Sequence, residues 1–208
     1  MADTDPRRAR ILATARDVFA EQGFRRAEVK TIAQRAGVGK ATIYRFFSSK
    51  DALLLTVVEE NLTAIRDLVL GELLNGAPPL QRLENVCRTV ARFLECERDF
   101  SRLLIQEAGE FLGPIQQRYL QLVEDNLPVA DAFFNELRND GYFVALSTRD
   151  TILMMVNLLV GTTYTWVLTG EGRLEQQAVS YMEVLVRGLR AGDASPGGEG
   201  SRALFGNR

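Results

Sequence analysis

The 208-residue sequence predicts an all-α protein of about nine helices. Three observations carry that prediction. Apolar residues recur at helical spacing in almost every segment, helix-starting and helix-ending residues flank those segments, and no stretch alternates convincingly as a half-buried strand does. With 46% of its residues hydrophobic, the chain is long enough to bury a core, as one large domain or as a small domain attached to a medium one.

The elements follow in order. Asp5 supplies a side-chain acceptor before Pro6, which is fixed at the first helical position, and Ile11, Leu12, Ala15, Val18 and Phe19 then form one stripe. Gly23 is expected to close this helix as a left-handed cap. A second, short segment places Val29, Ile32, Ala33 and Ala36 on one face and stops at Gly37, and a third runs from about Gly39 to Phe47. Ser48 and Asp51 stand at capping-box spacing, so a long helix is expected from Ser48 or Ser49 to about Leu74. The stretch NGAPPL, residues 75 to 80, breaks it. Helices from Leu80 to about Cys96, around Phe100 to Glu110 and from Pro114 to Asn139 follow; Pro128 inside the last removes a backbone bond and should bend it. Asn139, Asp140 and Gly141 end that helix, and two more, about 148 to 168 and 173 to 190, close the fold. From Ala191 the glycine-rich, polar sequence reads as a disordered tail.

A formal net charge of −2 hides an asymmetry. Residues 1 to 50 hold 11 basic against 5 acidic side chains, and residues 51 to 208 hold 14 against 22. Phosphate contacts depend on local cation density, so a basic head on an acidic body is compatible with nucleic-acid binding. Histidine is absent and no G-x-S-x-G elbow is present, which removes the usual triads and most catalytic zinc sites. No enzyme activity, catalytic residue, metal or cofactor is expected. Cys87 and Cys96 lie nine residues apart in one helix, on opposite faces with roughly 13 Å of rise between them, so they cannot bridge each other. They read as small buried apolar residues, with a redox sensor as the alternative. Nothing resembles a secretory leader, so the expected location is the cytoplasm. Residues 151 to 170 carry no charge and could span a bilayer by length. Asn157, Thr162, Thr163 and Thr165 lie along them without a flanking basic cluster, so the preferred reading is a soluble helix packed on both faces, with no membrane partner.

Residues 36 to 50 read AGVGKATIYRFFSSK. The piece GVGKAT superficially matches a nucleotide-binding loop, but Gln34 stands at the first required glycine and Ala41 where Ser or Thr should hold magnesium. Two short helices around Gly37 and Gly39 instead fit a helix-turn-helix, whose second helix enters the major groove. With Ile43 inward and about 100° per residue, Phe46 and Phe47 fall on the inner side, Ala41 and Arg45 lie opposite, and Thr42 and Tyr44 flank them. Arg45 can read a guanine edge and Ala41 can approach a thymine methyl. Thr42 and Tyr44 can bond phosphate or base, Lys40 and Lys50 can neutralise phosphates, and Lys30 can also reach the duplex. The amino end of the helix beginning near Ser49 adds a partial positive charge toward it.

The runs RILATARDVFAEQGF, residues 10 to 24, and VKTIAQRAGVGKATIYRFFSSKDALL, residues 29 to 54, resemble the amino-terminal domain of the tetracycline-repressor (TetR) family of transcriptional regulators. The likeness covers the first quarter of the chain. It implies that Lys40, Thr42, Tyr44 and Lys50 touch phosphate and that Lys30, Ala41 and Arg45 face bases, with Gly39 opening the reading helix. Gly39 stands where a Ser cap is common in the family, Glu28 where Thr or Ser caps the second helix, and Arg45 where His is frequent. The expected organisation is a DNA-binding head at 1–50, an effector-binding and dimerisation body at 51–190, and the tail at 191–208.

By the same resemblance the last two helices pair with their copies in a homodimer, which agrees with the stripe Leu174, Ala178, Tyr181, Leu185 and Leu189. Such a dimer would read a near-palindromic double-stranded operator. A pocket for a small-molecule effector is expected within helices 80 to 168, with Phe93, Phe100, Leu104, Phe111, Tyr119, Val123, Asn157 and Trp166 as candidate lining and Glu107 as a polar anchor. The function expected is a repressor released from its operator by that effector. A constitutive or architectural DNA-binding dimer is the alternative.

Overall fold

A computed structural model describes residues 5–107 and 112–190, without the side chains of 106, 107, 112–114 and 116. Nine helices and no strand are found among these residues: α1 (Pro6–Gln22), α2 (Val29–Arg35), α3 (Lys40–Phe46), α4 (Lys50–Leu73), α5 (Pro79–Cys96), α6 (Arg98–Glu107), α7 (Leu112–Asn139), α8 (Thr148–Thr169) and α9 (Leu174–Gly188). The tail expected from Ala191 lies outside the described residues.

Local chemistry sets the helix ends. The Asp5 carboxylate accepts from the Arg7 backbone N–H at 2.9 Å, and Pro6 occupies the first turn where its missing N–H costs nothing. Gly23 ends α1 with φ +74, a conformation that favours glycine, but its ψ of 151 is extended and the cap is not the left-handed one expected. The extended step sends Phe24 back against Phe19, with ring centroids 5.5 Å apart. Ser49, not Ser48, caps α4: its hydroxyl accepts from the Ala52 N–H at 3.0 Å, which leaves Asp51 in the first turn as a charge facing the helix dipole. The capping-box register is thus one residue later than the spacing suggests, and Ala52 cannot reciprocate. α7 continues through Pro128. Ser147 caps α8 by accepting from the Asp150 N–H, and Gly170 closes it in the left-handed conformation.

One buried apolar cluster runs from Ile11, Phe19, Ile32 and Ile43 in the first three helices to Leu94, Phe100, Trp166 and Leu174 in the later ones. α1 packs against α4 and α6, α5 packs on α4 and α9, and α8 touches α6, α7 and α9. Ion pairs tie the two regions: Arg8 of α1 reaches Glu60 of α4 at 2.6 Å, and Arg16 of α1 bonds Glu97 in the turn between α5 and α6. A second cluster, including Leu73, Leu83, Phe133, Phe134, Leu137 and Phe143, closes the other end. Glu175 at the start of α9 is buried between Arg92 and Arg88 of α5, at 3.0 and 3.1 Å. The hydrogen bond from Arg92, aided by Arg88, holds its carboxyl below the usual range, so the pair fastens α9 onto α5 as a charged contact.

The last two helices each keep one open face in the single chain. α8 is long and apolar enough to cross a membrane by composition, yet it is not buried all round in a single chain. One face packs inward through Thr151, Thr162, Thr163 and Trp166, while Val160, Tyr164 and Leu168 stand half or more exposed. The stripe expected on α9 also divides. Leu174 and Ala178 are buried against their own chain and Leu185 and Leu189 are half-buried, whereas Tyr181 points outward, as does Val184 beside the stripe.

Candidate functional site

Helix α3 follows the angular prediction closely. Ile43 and Phe47 are buried, Phe46 and Thr42 are half-buried, and Lys40, Ala41, Tyr44 and Arg45 are exposed. The turn before α3 depends on Gly37, whose φ of +63 strains any side chain. Neither Glu28 nor Gly39, the residues preceding α2 and α3, makes a side-chain cap bond, so the first N–H groups of both helices are left without one. Lys30 is exposed on α2. Among the described residues, Lys30, Lys40 and Arg45 have no acidic partner; the Arg45 guanidinium lies 5.0 Å from the Phe46 ring centroid. Some other head cations are committed, as Arg8 is to Glu60 at 2.6 Å and Arg35 to Glu21 at 2.7 Å. The outer face of α3 is therefore small, hydrogen-bonding and positively charged.

Lys50 is held differently. Its ammonium donates to the carbonyls of Phe24 at 2.8 Å and Ala27 at 3.1 Å, with Arg25 O at 3.4 Å, and sits 4.3 Å from the Phe24 ring centroid. All three N–H groups are occupied within the chain, and they clamp the α1–α2 turn to the start of α4. Lys50→Met should lower stability by about 1 to 3 kcal/mol, as loss of charged hydrogen bonds does, and weaken all duplexes alike. A variant that melts like the wild type yet binds DNA poorly would return Lys50 to the phosphate role.

The body places the effector candidates unevenly. Phe100 is fully buried and meets Phe93 edge-on at 6.5 Å, Trp166 is buried beneath the Arg98 guanidinium at 5.0 Å, and Leu104 packs half-buried against the same cluster. Tyr119 and Val123 are half-buried on α7. Asn157 is exposed, on the outward face of α8 with Val160, Tyr164 and Leu168, so it does not face the interior these residues share. Phe111 and the Glu107 side chain lie outside the described residues. The sequence reading misses Ile65 on α4, Ile115 on α7 and Met155 and Leu158 on α8, which pack half-buried against the cluster; on α4 the signal was the spacing of Leu62, Ile65 and Val69. An open groove of about 590 Å³ at the α4–α5 turn is lined by Leu73, Pro78, Pro79, Arg82 and Glu136 and by none of the candidates.

The two cysteines divide: Cys87 fits the buried apolar reading and Cys96 does not. Cys87 is buried, and burial pushes its thiol up to about 11, which keeps it protonated and unreactive. Cys96 is exposed, because the helix that buries one face must leave the opposite one in solvent.

A short helix pair with a cationic, acid-free outer face, continuous with a larger helical body, defines a helix-turn-helix DNA-binding protein. The family described as bacterial regulatory proteins, tetR family, matches residues 11–57. The chain is 32% identical over 163 residues to the HTH-type transcriptional activator FasR of Mycolicibacterium smegmatis, spanning 78% of this chain and 73% of that one. It is 23% identical over 191 residues to the fatty acid metabolism regulator protein of Bacillus subtilis, spanning 91% and 98%. Among solved structures, FadR from Bacillus subtilis in complex with stearoyl-CoA matches with a TM-score of 0.76 at 22% identity, over 88% of this chain and 99% of that one. This chain belongs to the TetR family. It is a DNA-binding transcriptional regulator and not an enzyme, from a family whose members bind DNA operators and small-molecule effectors, typically as dimers.

Proposed function

We propose that the chain is an operator-specific repressor that acts as a homodimer in the bacterial cytoplasm and is released by a fatty acyl thioester. Residues 1–50 form the reading head and 51–190 the effector and dimer body. The observation that carries the DNA assignment is the outer face of α3, where Lys40, Ala41, Tyr44 and Arg45 are exposed and neither cation has an acidic partner. Arg45 and Ala41 read bases, Lys30 reaches the adjoining edge, and Lys40, Thr42 and Tyr44 hold phosphates. The bare apolar faces of α8 and α9 take the same faces of a second copy, which sets two α3 helices about one DNA turn apart, or a multiple of it, on a near-palindromic site.

The effector class rests on likeness: one relative is named for fatty acid metabolism and one structural neighbour holds stearoyl-CoA. An effector that prefers the splayed dimer lowers DNA affinity by its differential affinity for that state. Selection of the purified protein on random duplexes at fixed salt tests the reading, and an inverted repeat is the expected product. On that site Arg45→Ala should cost about 1 to 3 kcal/mol and relax one base position, whereas Lys40→Ala should weaken all duplexes alike. Equal losses for both variants on specific and random DNA would refute the roles. Salt-sensitive binding without sequence enrichment would instead favour an architectural binder. Stearoyl-CoA should release the selected duplex, and a duplex it leaves bound removes the effector class.

A further inference from the structure

One turn of α7 carries buried polar groups without partners. The Tyr119 hydroxyl oxygen and the Nε of its neighbour Arg118 are both buried, and neither has a hydrogen-bond partner among the described residues. Native proteins seldom leave such groups unpaired, and a missing ligand is one explanation. Tyr119 follows Ile115 by four residues and so shares its face of the helix. Ile115 in turn packs half-buried on the same cluster as Ile65, Phe93, Leu104 and Met155, which come from four other helices. These side chains are apolar, from five elements, and none is fully covered.

The missing chemistry can be specified. Arg Nε–H is only a donor, and burial holds the phenol up to about 12, so Tyr119 also stays an O–H donor across physiological pH. What both lack is an acceptor oxygen. The nearby cations are neutralised, Arg118 by Glu59 at 2.9 Å and Arg149 by Glu124 at 3.0 Å. Among the described residues no spare positive charge remains there to offset a buried carboxylate, so a neutral carbonyl fits and an ionised acid does not. Building on the acyl-thioester reading above, we propose that the Tyr119 hydroxyl donates to the thioester carbonyl of the bound acyl-CoA. Tyr119, and not Glu107, is then the polar anchor of the acyl group.

The test compares stearoyl-CoA with S-octadecyl-CoA, a thioether of equal chain length and the same head group but without the carbonyl. Calorimetric titration of DNA-free protein should show Tyr119→Phe binding the thioester about fivefold to tenfold more weakly and the thioether unchanged. The wild type should prefer the thioester by a similar factor. Equal weakening toward both ligands would reduce Tyr119 to a packing role, and no weakening would remove it from the site; either overturns the proposal while the acyl-CoA reading stands. A wild type that binds neither ligand overturns both. Thermal melting without ligand gives an independent check: Tyr119→Phe should melt no lower than the wild type, because its hydroxyl has no partner to lose, and a clearly lower midpoint overturns the proposal.

Discussion

Val184→Glu is expected to leave the protein folded, monomeric and about a hundredfold or more weaker on its full operator. Val184 is 71% exposed and contributes little to the packing of its own chain, so the substitution should not disturb the fold. In the proposed dimer it faces the seam with Tyr181, Val160, Tyr164 and Leu168. A carboxylate there loses hydration without gaining a partner and meets its own copy as a like charge. Linking two half-site contacts raises affinity by about 10² to 10⁴ through effective concentration alone, and a monomer forfeits that gain. Analytical ultracentrifugation and gel shift on whole and half operators measure both quantities. A dimeric variant that keeps its operator affinity would place the seam elsewhere.

Phe143→Ala is expected to cost about 3 to 5 kcal/mol of stability, the range for truncating a buried aromatic. The residue is 1% exposed and meets Phe134 edge-on at 5.9 Å, which in turn meets Phe133 at 5.2 Å. Its backbone adopts φ +54, and its N–H donates to the Leu189 carbonyl at 3.2 Å, joining the α7–α8 turn to the end of α9. Holding a phenylalanine in the left-handed region is unfavourable, and only the packing of its ring offsets that. Alanine keeps most of the backbone cost and loses the packing. Urea unfolding followed by circular dichroism at one fixed protein concentration tests this, since a dimer's midpoint shifts with concentration. A loss below about 1 kcal/mol would mean the second core reseals around the vacancy.

What the sequence discloses, and what it withholds, follows from how far each feature depends on distant residues. The faces of α3 were legible because 100° per residue is a local rule and Ile43 fixed the phase. The helix start governed by one side chain, Asp5, was legible for the same reason. Ser48 and Ser49 both qualify as caps by residue type, and only the structure shows that the Ser49 hydroxyl meets the Ala52 N–H. The carbonyl contacts of Lys50 were not legible, because its sequence neighbours give no hint of carbonyls 23 to 26 residues earlier. Residues 151 to 170 hid most. A helix apolar on every side has no moment to mark which face turns inward, so Asn157 could not be assigned a side, and the exposed row it shares emerged only from the packing of α8 on α6, α7 and α9.

The contact between Arg98 and Trp166 has a practical consequence. Trp166 is the only tryptophan in the chain, and its indole sits under a guanidinium carried by the turn whose preceding residue, Glu97, bonds Arg16 of the first helix. Its emission therefore comes from a single place, where the start of α6 packs on α8 and is tied to α1. Unlabelled protein carries its own optical gauge: a shift of that turn relative to α8 changes the polarity and quenching around one fluorophore, so the time course of head movement can be followed by stopped-flow fluorescence.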